Sequence, residues 1–107
     1  MKTVVVRYKV MPEFADENQR LIEQVFAQLA REKPSGLQYQ SFRMGDGLSF
    51  MHIATREGGP DDSPLMKLDT FKTFLAGIKD RCVEPPVQME VKPLGRYDEL
   101  VDVAAPS

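Results

Sequence analysis

The chain has no tryptophan and only one cysteine, one histidine and one asparagine. A single Cys82 cannot close an internal disulfide, and one histidine beside one cysteine gives no ligand spacing for a structural zinc. No metal site and no disulfide framework are therefore expected. Long apolar runs are also missing, and nothing approaches the roughly 20 residues of a membrane-spanning helix. Charge of one sign is lacking too, with 14 basic against 16 acidic residues and a formal net charge of −2. No Lys/Arg cluster forms the basic stripe of a nucleic-acid binder. The opening "MKTVVVRYKV" sets Lys2, Arg7 and Lys9 around a short valine run, without the apolar core and small-residue cleavage site of a secretory signal. The expectation is a cytoplasmic protein with neither membrane nor nucleic-acid partner.

What is present is a well-punctuated pattern. At 107 residues and 42% hydrophobic composition the chain suits one core, read as a single domain over 1–97 with a tail over 98–107. Residues 2 to 10 alternate, with Val4, Val6, Tyr8 and Val10 on one side and Thr3, Val5, Arg7 and Lys9 on the other, which is the period of a strand. After Pro12, Leu21, Ile22, Val25, Phe26 and Leu29 form one helical stripe, with Asp16 and Gln19 placed as a capping box and "KPSG" as the stop. "LQYQSFRM" and "LSFMHIATRE" flank "GDG" as a hairpin. "GGPDDSP" reads as the loosest loop. A second helix carries Phe71, Phe74, Leu75, Ile78 and Cys82 on one face, with Asp69 as its cap, Gly77 inside it and Pro85-Pro86 as its stop. A last strand follows through Val87, Met89 and Val91, at an edge because of Pro93.

The order β-α-β-β-α-β is the ferredoxin-like pattern, an α+β fold with both helices on one face of a four-stranded antiparallel sheet. The hairpin divides its residues between two faces. Tyr39, Ser41, Arg43, Leu48, Phe50, His52 and Ala54 share one; Gln38, Gln40, Phe42, Met44, Ser49, Met51, Ile53 and Thr55 share the other. Both contain apolar groups, so a monomer would leave an apolar patch uncovered, and a twofold homodimer with its sheets face to face would cover it.

With those residues in view, the segments "VVVRYKVMPEFADENQRLIEQVF", "PSGLQYQSFRMGDGLSFMHIAT" and "FKTFLAGIKDRCVEPPVQMEV" together resemble the dimeric α/β-barrel superfamily, in particular the small antibiotic-biosynthesis-monooxygenase-like domains. The resemblance runs over about residues 2 to 97. It implies a dimeric barrel holding a small aromatic or polyketide-like molecule, with some members oxidising by O₂ and using neither metal nor flavin. No cofactor is expected on that ground. Haem-degrading relatives carry an Asn, a Trp and a second-helix His; here Trp is absent and Phe74 aligns with that His. Anthrone-oxidising relatives also lean on Asn and Trp, and the one Asn, Asn18, opens the first helix.

The polar groups on the His52 face place it in the barrel interior, since a cavity tolerates such groups better than a dry layer between helix and sheet. The candidate site then has His52, Tyr39 and Arg7 in catalytic roles, and Arg43, Phe50 and Leu48 contacting ligand. A histidine with an ordinary pKa of about 6.5 could take a proton from a phenol or an activated C–H, an arginine could hold the resulting anion, and Tyr39 could orient it. The competing reading makes His52 a packing residue hydrogen-bonded near Ser41. Cys82 reads as a buried small hydrophobe and the methionines as core filling. Asp61 and Asp62 read as solvated turn residues. Two classes remain open: a cofactor-independent enzyme acting on a small aromatic or quinoid molecule, and a non-catalytic dimeric module for binding or assembly.

Overall fold

A computed structural model describes residues 1–58 and 63–100; most of the Gly- and Pro-rich loop, with Asp61 and Asp62, and the last seven residues lie outside this range. Four strands form one antiparallel sheet in the order β2-β3-β1-β4, where β1 is Lys2–Val10, β2 Leu37–Arg43, β3 Ser49–Arg56 and β4 Cys82–Val91. Between them lie α1 (Ala15–Glu32), α2 (Asp69–Ala76) and the single turn α3 (Ile78–Arg81). This is the ferredoxin-like α+β arrangement that the element order implied. No helix among the described residues is long and apolar enough to cross a membrane.

The valine-rich β1 takes a central position because both its edges are paired, to β3 and to β4. Its register sets Val6 beside His52, and His52 beside Ser41 of β2. Val4, Tyr8 and Val10 therefore share a face with Phe50 and His52, and all five are buried. Leu21, Ile22 and Val25 of α1 and Phe74 and Ile78 of the second helical segment close the core on that face.

That placement corrects one expectation. The face carrying Tyr39, Ser41 and His52 lies under the helices, not on the open side of the sheet. Its polar groups tolerate the helix layer because they hydrogen-bond one another, and Val4, Tyr8, Val10 and Phe50 make it the more continuous apolar surface. On the other face Val5 of β1 lies beside Met89, and Arg7 beside Val87. Phe42, Val87 and Met89 are 43%, 63% and 64% exposed, so this side offers an uncovered apolar surface.

The second helical region also differs from its expected form. The chain runs through a 3-10 turn (Pro64–Lys67), then α2, breaks at Gly77 and resumes as α3. A Cβ at Gly77 would come within 2.9 Å of Arg81 Nη1, so the break leaves space for a buried guanidinium. Cys82 is the first residue of β4, paired with Val10, and not part of a helical stripe. Pro85 and Pro86 do not stop a helix; they lie inside β4, where the pairing with β1 slips between Arg7 and Lys9. An outer strand tolerates them at such an irregularity, since no ladder donor is lost on its free edge.

Caps differ as well. Asp69 is the first residue of α2, after an N-cap at Leu68. No side-chain cap forms at α1, which follows a 3-10 turn over Pro12–Phe14; Asp16 and Glu17 instead favour its positive end. Helix α1 ends as Lys33 takes a left-handed φ of 47°. In the hairpin turn, Asp46 Oδ1 accepts from the backbone N–H groups of Leu48 and Ser49, each at 2.8 Å.

Candidate functional site

Between the sheet and α2 lies a cavity of about 440 Å³. Val4, Val6, Leu65, Phe71, Phe74 and Ile78 give it apolar walls, and Tyr8, Tyr39 and His52 also line it. An apolar chamber of this size with a few converging polar groups is the usual form of a small-molecule site.

The polar groups belong to one network. Arg81 Nε donates to Asn18 Oδ1 at 3.0 Å, and Asn18 Nδ2 donates to Tyr8 Oη at 2.9 Å. Tyr8 Oη lies 2.8 Å from His52 Nε2. On the other side of the ring, Nδ1 meets Ser41 Oγ at 2.7 Å and Tyr39 Oη at 2.8 Å. Rings hold the network in place. Tyr8 stacks on Phe50 and on His52, with centroids 5.7 and 5.4 Å apart, and Tyr39 stacks on Phe26 at 5.2 Å. Among the described residues, no buried side-chain nitrogen or oxygen is left without a partner.

Burial sets the charge states. His52 is 5% exposed, and desolvation lowers its pKa from the ordinary 6.5 to about 4. It is therefore neutral at pH 7, since no carboxylate touches it to favour the imidazolium. Tyr39 is pushed up to about 12 by burial, partly offset by a hydrogen bond from Ser41. Burial raises Tyr8 further, while the Asn18 hydrogen bond and the Arg81 charge pull the other way. Arg81 is 7% exposed. Its charge is met by Asn18 Oδ1, by the Phe74 carbonyl at 2.9 Å and by the Phe74 ring, whose centroid is 5.3 Å from the guanidinium carbon. No carboxylate among the described residues forms an ion pair with it.

Of the residues singled out in the sequence, His52 and Tyr39 meet in this cavity. Arg7 does not join them: Tyr8 is on their side of β1, so strand alternation turns Arg7 to the opposite face, where it lines a separate hollow beside Glu84 and Val87. Arg43 lies outside the cavity and braces the hairpin against α1, donating to Gly47 O, Asp16 Oδ1 and Gln19 Oε1 at 2.9, 3.1 and 2.6 Å. Phe50, 1% exposed, and Leu48 are core packing and not cavity wall. Phe74 packs against His52, with ring centroids 5.5 Å apart.

Tyr8, Asn18 and Arg81 are the functional candidates that sequence reasoning missed. The signal was a polar residue on an apolar stripe. Asn18 precedes Leu21, Ile22 and Val25 at helical spacing, and Arg81 continues the run of Phe74 and Ile78 at i+7. Among the described residues, no group of three or more His, Cys, Asp or Glu could hold a metal.

No protein-family model and no curated protein matches the chain. Solved structures do. SnoaB, a cofactor-independent oxygenase from Streptomyces nogalater, is 16% identical over 92% of this chain and 97% of its own, with a TM-score of 0.65. Rv0793 from Mycobacterium tuberculosis is 14% identical over 91% and 98%, with a TM-score of 0.66. A structure described as an antibiotic biosynthesis monooxygenase is 19% identical over 89% and 100%, with a TM-score of 0.65. The chain has the fold of the antibiotic biosynthesis monooxygenase domains.

Proposed function

We propose that the protein binds a small aromatic or quinoid molecule in the cavity between the sheet and α2 and oxidises it with O₂ without a cofactor. The observation that carries this reading is a neutral, buried His52 hydrogen-bonded to Tyr8 in an apolar chamber. A phenol or activated C–H placed against Tyr8 Oη gives its proton to that oxygen while the Tyr8 proton passes to His52 Nε2. Tyr8 stays neutral, His52 becomes the imidazolium, and the substrate becomes an electron-rich anion. At an activated CH₂, one oxygen atom of O₂ then becomes a carbonyl oxygen and the other leaves as water. SnoaB, which shares this fold, is a cofactor-independent oxygenase, and that supports this reaction class.

A second reading, a module that binds its ligand without reacting it, is favoured by one observation. Both His52 nitrogens already have protein partners, and a base with a pKa near 4 is weak against a phenol. One experiment separates the two. Thermal denaturation and oxygen uptake are measured with 1,8-dihydroxyanthrone as probe, on the wild type and on His52→Gln. Binding raises Tm by mass action. Oxygen uptake that His52→Gln abolishes supports the enzyme; a raised Tm without uptake decides for the binding module; an unchanged Tm overturns the ligand site.

The open sheet face also belongs to the proposal, as the surface of a twofold homodimer. Sedimentation should give twice the chain mass of 12.1 kDa, and Val87→Glu with Met89→Glu should return it to that single mass. A wild-type monomer would refute the pairing.

A further inference from the structure

Arginine can only donate, and that fact gives the buried network a direction. Because Arg81 Nε donates to Asn18, the amide oxygen of Asn18 must face Arg81 and its nitrogen must face Tyr8. Tyr8 Oη therefore receives a hydrogen from Asn18, and among the described residues His52 Nε2, the other polar atom it touches, is the one acceptor within reach of its own hydrogen. Nε2 accepts, so the proton of the neutral ring sits on Nδ1 and is donated towards Ser41 Oγ. Tyr39 Oη lies 2.8 Å from the same nitrogen. A ring nitrogen that carries its own hydrogen cannot accept another, so Tyr39 Oη accepts from Nδ1–H and the imidazole does not take the hydroxyl hydrogen of Tyr39.

We propose that Arg81, acting through Asn18 and Tyr8, fixes His52 as the Nδ1–H tautomer and leaves Tyr39 as a hydrogen-bond donor to the ligand, which must present an oxygen acceptor such as a ketone, quinone or phenolate oxygen. Arg81 and Asn18 are positioning residues in this scheme. The tautomer part rests on the hydrogen bonds alone. The ligand part rests on the cavity being the site proposed above.

The chain has one histidine, so ¹⁵N-histidine labelling gives a single imidazole spectrum that needs no assignment. The expected spectrum at pH 7 is a neutral ring with the proton on Nδ1. The informative variant is Asn18→Asp, which keeps the shape of the side chain and gives Arg81 an ion-pair partner. A carboxylate there accepts from the Tyr8 hydroxyl, so Tyr8 Oη must accept from Nε2–H and the tautomer should reverse. A wild-type ring protonated on Nε2, or a variant with its proton still on Nδ1, would overturn the proposal. A role for Asn18 in packing alone would not move the proton.

The ligand part is read with 1-tetralone and its hydrocarbon analogue tetralin. Tyr39→Phe should weaken tetralone binding by about fivefold, the size of one net hydrogen bond, and leave tetralin unchanged. Equal effects on both probes would refute the donor role. Binding of neither probe would overturn the ligand site, and the tautomer result would still stand or fall on the spectrum.

Discussion

Lowering the pH from 7 to 5 should destabilise the protein by about 2 kcal/mol through His52 alone. The folded protein holds this ring neutral with its pKa lowered to about 4, whereas the unfolded chain titrates near the ordinary 6.5. A group of this kind binds its proton more readily when unfolded, so acid favours the unfolded state. The stability is whole above about pH 7 and falls away as the pH drops from 6.5 towards 4, where the full difference reaches about 3 kcal/mol. The structural cause is the lack of any anionic partner. His52 meets only the hydroxyls of Tyr8, Ser41 and Tyr39, and the nearest charge along its hydrogen bonds is the Arg81 cation. The carboxylates of Glu17 and Asp46 are held below their ordinary range and change charge mainly at lower pH than this window. Urea unfolding at pH 7, 6 and 5, on the wild type and on His52→Gln, isolates the effect because the chain has no second histidine. The variant should lose most of the slope. A wild-type stability that stays flat from pH 7 to 5, or a variant that keeps the slope, would refute the claim that His52 is buried neutral.

Three further outcomes follow from the packing. Gly77→Ala would ordinarily stabilise a helical segment by about 0.5–1 kcal/mol; here its Cβ meets Arg81 Nη1 at 2.9 Å, so Tm should fall, and a raised Tm would show that Arg81 yields freely. Phe74→Ala removes a ring in contact with Tyr8, His52, Phe71 and Arg81 and should cost about 3–5 kcal/mol in chemical denaturation; a loss under 1 kcal/mol would mean that the core closes over the gap. Asp46→Ala removes an acceptor that serves the backbone of Leu48 and Ser49 and the Ser49 hydroxyl. Its carboxyl is held at about 2 by those bonds, so the stabilisation is present above the unfolded value near 4 and lost as pH falls towards 2; equal thermal stability of variant and wild type at pH 7 would count against it.

Much of the fold was legible because it rests on periodicity. The alternation of β1, the stripe of α1 and the "GDG" hairpin each report a local pattern, and the β-α-β-β-α-β order then leaves few topologies. Where the reading failed, tertiary packing overrode a local signal. Pro85-Pro86 normally ends a helix, yet the helix had already ended at Gly77 and Arg81, and the prolines fit the irregular outer strand. The direction of the His52 face is hidden for a related reason. Residue by residue, Tyr39, Ser41 and His52 are too polar for a helix layer.

Those three residues are not wet once their hydrogen bonds are closed among themselves, and the closing partners come from distant parts of the chain. Asn18 is 63 residues from Arg81 and 10 from Tyr8, distances at which no sequence window sees the pair. A buried donor left without an acceptor costs about 1–3 kcal/mol, so one buried histidine requires a second polar group, and that group requires a third. The sequence trace of this requirement is a polar side chain interrupting an apolar stripe: Asn18 ahead of Leu21, Ile22 and Val25, and Arg81 after Phe74 and Ile78. Three such interruptions, counting His52 between Phe50 and Ala54, each mark a polar group that needs a partner inside the core, and only the packing of their three elements shows that they belong to one network. The order of donors within it follows from the one member that can only donate. Burial keeps His52 neutral, and Arg81, which does not touch the imidazole, bears on which of its nitrogens holds the proton.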